Sequence, residues 1–97
     1  MTFHIPAALR EFAGGRSQIE IEGAPATLRE ALSALWVLYP GLRDRVMTEQ
    51  EQVRVHINIF IGNENSRYTG GLATPVTVDS VVSIIPAVSG GLTSGPN

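Results

Sequence analysis

Two stretches of the chain alternate strictly between apolar and polar residues, the signature of a half-buried strand. In Ser17-Gln18-Ile19-Glu20-Ile21-Glu22, Ile19 and Ile21 point inward and Gln18, Glu20 and Glu22 outward. In the longer Val53–Ile61 stretch, Val53, Val55, Ile57, Ile59 and Ile61 form the buried row, and Arg54, His56, Asn58 and Phe60 the other face. Phe3-His4-Ile5 is a short alternating strand that stops at Pro6. Val81–Ile85 is almost continuously apolar, as expected of an interior strand. Leu9-Arg10-Glu11-Phe12 leads into the turn residues Ala13-Gly14-Gly15, so the first two strands form an antiparallel hairpin with a long connection.

A helical period takes over in the middle. Leu28, Ala31, Leu32, Leu35, Trp36 and Tyr39 share one helix face, and Trp36 is read as core. Thr27-Leu28-Arg29-Glu30 is a capping box, in which the Thr27 hydroxyl accepts from the Glu30 N–H and Glu30 reaches back to the Thr27 N–H. Pro40 ends the helix, because a residue before proline is pushed out of the α region. Leu42–Gln52 is polar and reads as a loop with at most one helical turn. Beyond the long strand, Gly62-Asn63 is a turn, Arg67-Tyr68 pairs briefly, and Thr69–Pro75 is a loop. Val76 and Val78 suggest a short edge segment.

The order is ββαβ(β)β, which predicts an α+β protein of the β-grasp type. Its mixed sheet of four to five strands wraps one main helix, with the first and last strands parallel at the centre.

Composition narrows the chemistry. The 97 residues fit one domain, and 43% hydrophobic with 16% charged residues is too apolar for a disordered chain. There are no cysteines, which removes disulfides, iron–sulfur ligation and thiol nucleophiles together. No apolar run is long enough for a membrane helix, and Met1–Pro6 does not open a signal peptide, so the expected location is the cytoplasm. A net charge of −2 gives no electrostatic footprint for nucleic acid. His4 and His56 are too few for a zinc site, so no metal is assigned. The carboxylates show no pairing that supports acid–base catalysis.

The end of the chain carries the most functional information. The apolar run meets Pro86, which has no N–H to donate to a ladder. Ala87-Val88-Ser89-Gly90-Gly91 follows, and its two glycines present only backbone to a narrow channel. These five residues extend at most about 16–18 Å, enough to reach deep into a partner while the globule stays outside. The reacting group is then the main-chain carbonyl of Gly91, which the six residues Leu92–Asn97 cover.

The strand order and the terminal Pro86–Gly91 stretch resemble the ubiquitin-like sulfur carriers of the MoaD/ThiS type. So do Leu9–Gly15, Tyr39-Pro40-Gly41-Leu42, Asn58-Ile59-Phe60-Ile61 and Arg67–Pro75, the last most like the carriers that work with cysteine synthases. The resemblance spans residues 3–91, and residues 1–91 would be the ubiquitin-like domain, its stem included, with 92–97 a C-terminal extension. It implies a carrier rather than an enzyme, binding no cofactor of its own. A ubiquitin-activating-like adenylating enzyme would use ATP to activate the Gly91 carboxylate. Sulfur would then replace AMP, and the thiocarboxylate would serve a cysteine-synthase-like acceptor. The stem is Val88, Ser89 and Gly90. The extension implies prior cleavage between Gly91 and Leu92, in this family by a JAMM-type zinc peptidase. Val78-Asp79-Ser80 departs from the family's acid-glycine-acid turn. Phe60, Ile85 and Val88 form a candidate docking patch on the open sheet face, with partial cover of Phe60 by residues 62–75 as the alternative. Three other functions compete: the small subunit of molybdopterin synthase, a ubiquitin-like modifier, and a β-grasp binding module with an inert tail.

Overall fold

The computed structural model describes residues 1–87. Five strands, β1 (Thr2–His4), β2 (Gln18–Glu20), β3 (Ile57–Ile61), β4 (Glu64–Asn65) and β5 (Val81–Pro86), form one sheet in the order β2-β1-β5-β3-β4. β1 and β5 run parallel at its centre, and the other pairs are antiparallel. The two α-helices among the described residues are α1 (Leu28–Leu38) and α2 (Pro40–Val46). This is the β-grasp arrangement, with the central parallel pair as expected.

The core lies between one sheet face and α1. Phe3, Ile19, Ile57, Ile59, Val82 and Ile84 alternate onto that face, and Leu28, Ala31, Leu32 and Leu35 meet them from the helix. All ten are buried, because period 2 on the strands and period 3.6 on the helix put every one on the facing side. Trp36 and Tyr39 are only half-buried and pack at the margin of this core. At the helix start, the Glu30 N–H donates to the Thr27 hydroxyl at 3.3 Å. The return bond differs from the capping box by one residue: the Glu30 carboxylate accepts from the Ala26 N–H at 2.9 Å.

Four expectations are corrected. First, Leu42–Gln52 is not simply a loop, since its first part belongs to α2. Tyr39 is thrown out of the helical region (φ −136°, ψ 75°), but Pro40 then occupies the first turn of a new helix, where its missing N–H costs nothing. Leu42 and Val46, four residues apart, are both fully buried. Second, β3 begins at Ile57 rather than Val53. Its partner β5 ends at Pro86, opposite Ile57. The Val53–His56 segment turns instead to α2: Val53 pairs with Met47, and the Arg54 N–H donates to the Val46 carbonyl at 2.9 Å. Val55 is consequently 88% exposed, despite its place in the alternation.

Third, Glu64 and Asn65, not Arg67 and Tyr68, pair with β3. Gly62 (φ 61°) takes the left-handed position of the connecting turn, which glycine adopts without strain. Ser66–Tyr68 is a single 3-10 turn, capped by the Asn65 side chain accepting from the Arg67 N–H at 3.0 Å. Fourth, Val76 and Val78 form no edge strand. Val76 is buried and its N–H donates to the Ala26 carbonyl, whereas Val78 sits half-exposed in the turn before β5.

Candidate functional site: the open sheet face and the start of the stem

The fold delivers the chain's end from its best-anchored strand. β5 is paired along both edges, with Thr2, Phe3 and His4 opposite Val81, Val82 and Ser83 on one side. On the other side Ile57–Ile61 lie opposite Val82–Pro86. Immediately beyond Pro86, the Ala87 N–H donates to the His56 carbonyl at 2.6 Å. This bond sits at the margin of the sheet and fixes where the last described residue leaves the globule. Val88, Ser89, Gly90, Gly91 and Leu92, and with them the expected reacting carbonyl, stem and cleavage position, lie outside the described residues.

The sheet face opposite the core is open. Ile85 lies opposite Asn58, and Phe60 opposite Ser83, so Phe60 and Ile85 are diagonal neighbours on that face. Ile85 is 45% exposed, while Phe60 is half-buried yet does not pack against the core. Val81 is 39% exposed on the same strand face, extending the apolar row to three residues. Its alternation with Ile85, two steps beyond Ser83, was available in the sequence. The continuous apolar run of β5 hid it, because such a run does not say which residues face out. Val88, the third residue proposed for this patch, is outside the described residues.

Around this apolar row the face turns polar. The Asn65 side chain donates to the Asn58 side chain at 3.1 Å. On the far side, the Thr2 hydroxyl donates to the Glu20 carboxylate at 2.6 Å. That bond, more than any other influence, holds the Glu20 carboxyl below the usual carboxylate range. Desolvation opposes it, and Gln18, the α-amino group and His4 add smaller lowering contributions. An apolar centre with a polar margin is the composition of a recognition surface.

Comparison with known proteins agrees with this geometry. The sequence matches the ThiS family over residues 3–91. It is 36% identical over 93 residues to the sulfur carrier protein CysO of Mycobacterium tuberculosis, spanning 94% of this chain and 98% of that one. It is 31% identical to small archaeal modifier protein 3 of Haloferax volcanii, over 88% of this chain and 91% of the relative. Among solved structures, CysO in the Amycolatopsis orientalis BexX/CysO complex superposes with a TM-score of 0.83 at 32% identity, covering 93% of this chain and 98% of that one. Fold, strand order and sequence together place the chain in the ThiS family of small sulfur carrier proteins.

Proposed function

We propose that this carrier works through a thiocarboxylate at Gly91. A peptidase of the JAMM zinc type first hydrolyses the Gly91–Leu92 bond, freeing the Gly91 carboxylate and releasing Leu92–Asn97. An adenylating partner related to ubiquitin-activating enzymes then transfers AMP from ATP to that carboxylate, with pyrophosphate leaving. Sulfide sulfur displaces AMP and leaves the glycine thiocarboxylate. A cysteine-synthase-like enzyme accepts the sulfur. The chain is a co-substrate of these partners and contributes no catalytic side chain.

The observation that supports this reading is the anchoring of β5 and Ala87, just ahead of the stem. β5 is held on both edges, and Ala87 is pinned to His56 only four residues before Gly91. Four residues reach at most about 13–15 Å, so a partner holding Gly91 must also touch the globule near the end of β5. The open face around Ile85 and Phe60 is the surface in that position, and we assign it the docking role. The stretch matched to the family also runs through Gly91.

The test is the intact mass of the untagged protein from its own cells. A species ending at Gly91, with one terminal oxygen replaced by sulfur, is the expected result. If only the chain through Asn97 appears, and extract with ATP and sulfide does not change it, the carrier mechanism is wrong. The likeness to a small archaeal modifier protein supports a second reading, in which the Gly91 carboxylate is joined to lysines of other proteins. That reading predicts larger conjugates that survive thiol reductant and disappear in a Gly91→Trp variant.

A further inference from the structure

A pocket at the free edge of β3 is unused by the carrier function. β4 pairs only with Phe60 and Ile61, so the earlier part of β3 has no strand beside it on that edge. The space there, about 360 Å³, lies between the Val53–Ile57 segment and the 65–72 loop. Its volume is at the low end of the range for small-molecule sites. Val53, Val55, Ile57 and Leu72 supply apolar walls. Four polar residues also line it, Gln52, Asn65, Ser66 and Arg67, of which Ser66 and Arg67 are neighbours in the 65–72 loop.

Both of these neighbours have unused capacity. Ser66 is 95% buried by its 5% exposure, yet its hydroxyl has no hydrogen-bond partner among the described residues. Buried hydroxyls are normally paired, so one lining a pocket marks a place for a ligand or water atom. Arg67 is an exposed residue whose guanidinium donates through Nη2 alone, to the Val55 and Ile57 carbonyls at a long 3.4 Å. Its Nε and Nη1 donors make no bond among the described residues, and no carboxylate there pairs with it. The two carbonyl bonds hold the guanidinium at the strand edge while leaving the rest of its fork open. A planar cation with open donors beside an apolar space selects a carboxylate carried on a hydrocarbon body.

We propose that this pocket binds a small aliphatic carboxylate. Its branched hydrocarbon sits between Val53, Val55, Ile57 and Leu72, its carboxylate pairs with Arg67, and Ser66 supplies a second donor. One lining residue, Val55, directly precedes His56, whose carbonyl accepts from the N–H of Ala87, the residue after β5. Occupancy would therefore register close to the end of β5.

The test is an amide-resolved NMR titration of the full chain with 4-methylpentanoate, using 4-methylpentanamide as the uncharged control. Expected are saturable shifts at Val53, Val55, Ile57, Ser66, Arg67 and Leu72, with a Kd on the order of millimolar for so small a ligand. Arg67→Gln should weaken binding about tenfold, and Ser66→Ala by a smaller factor, both with wild-type spectra elsewhere. Three results would each overturn the proposal: no saturable shift, equal binding of the amide, or an unaffected Arg67→Gln variant. A fourth would too. If deleting residues 88–97 opens the pocket and the same carboxylate binds only then, the occupant is the chain's own C-terminal segment.

Discussion

β5 has two faces built from the same residue types and used for opposite purposes. Val82 and Ile84 are 0% and 2% exposed and meet α1, while Val81 and Ile85, one residue away from them, are 39% and 45% exposed. On the inner face an aliphatic side chain stabilises the fold through area removed from water, about 25 cal/mol per Å². On the outer face the same side chain still has water to lose, so its free energy is available to a partner. For a small carrier this division is economical. The strand that ends at Pro86 is also the strand that holds the core together, so the proposed docking face and the core share one element.

The difference can be broken most severely from the core side. Leu35 is fully buried, and Leu35→Ala should cost about 2–5 kcal/mol. A domain of this size has only about 5–15 kcal/mol in total, so chemical denaturation should show a large fall in midpoint. A loss under about 1 kcal/mol would mean that α1 does not close the core as described.

The sharpest comparison uses neighbouring residues. Ile84→Thr places a hydroxyl in the core with no prepared partner and should cost about 2–4 kcal/mol. Ile85→Thr keeps the β-branch on the open face and should change stability by no more than about 0.5 kcal/mol. The ranking should reverse for function: Ile85→Thr should slow adenylation of a chain ending at Gly91 several-fold while leaving the fold intact. If Ile85→Thr is adenylated as fast as wild type, the open face is not the docking surface.

Less is at stake at the start of α1. Thr27→Ala removes the acceptor for the Glu30 N–H and should cost about 1 kcal/mol. The pair Thr27–Pro75 and the Leu28 N–H bond to the Thr74 carbonyl at 2.9 Å also hold this end. The loss should therefore appear as lower hydrogen-exchange protection in the first turn of α1 before it appears in global unfolding.

What could be read in the sequence follows the same division. The inner face was legible wherever a period ran for several residues, as in Ile19 and Ile21, Ile57 and Ile59, and the α1 stripe. It failed where burial depended on an element elsewhere in the chain. Val55 continues the alternation of β3 but has no strand to pair with, because β5 stops at Pro86. In α2 only Leu42 and Val46 carry the helical pattern, too few to stand out among Arg43, Asp44 and Arg45. The Phe60–Ile85 pairing was legible because it needed only the strand order and the side-chain alternation. Val81, four residues before Ile85, shares its face by the same alternation, although the apolar run Val81-Val82-Ser83-Ile84-Ile85 hides it by not marking which residues face out. The pocket beside Arg67 was invisible for a related reason: its walls come from segments that looked like a strand and a loop.

The smallest effect concerns the polar margin of the open face. The Thr2 hydroxyl is the main reason that the Glu20 carboxyl titrates below its ordinary range in the folded chain. A carboxyl whose folded pKa lies below its unfolded value binds fewer protons folded than unfolded in the window between the two. Its contribution to stability is therefore complete above the unfolded value and is lost as pH falls through the folded one. The stability curve should show a shallow acid-side decline in that window, and Thr2→Val should flatten it. Carboxyl-resolved NMR titration gives the direct readout, with Glu20 moving toward its ordinary value in the variant. Added salt separates the causes, since it screens the α-amino and His4 charges but leaves the short hydroxyl bond in place. If salt alone restores the ordinary value, charge rather than the Thr2 bond sets the shift, and this margin of the face is held by long-range field instead of by a fixed contact.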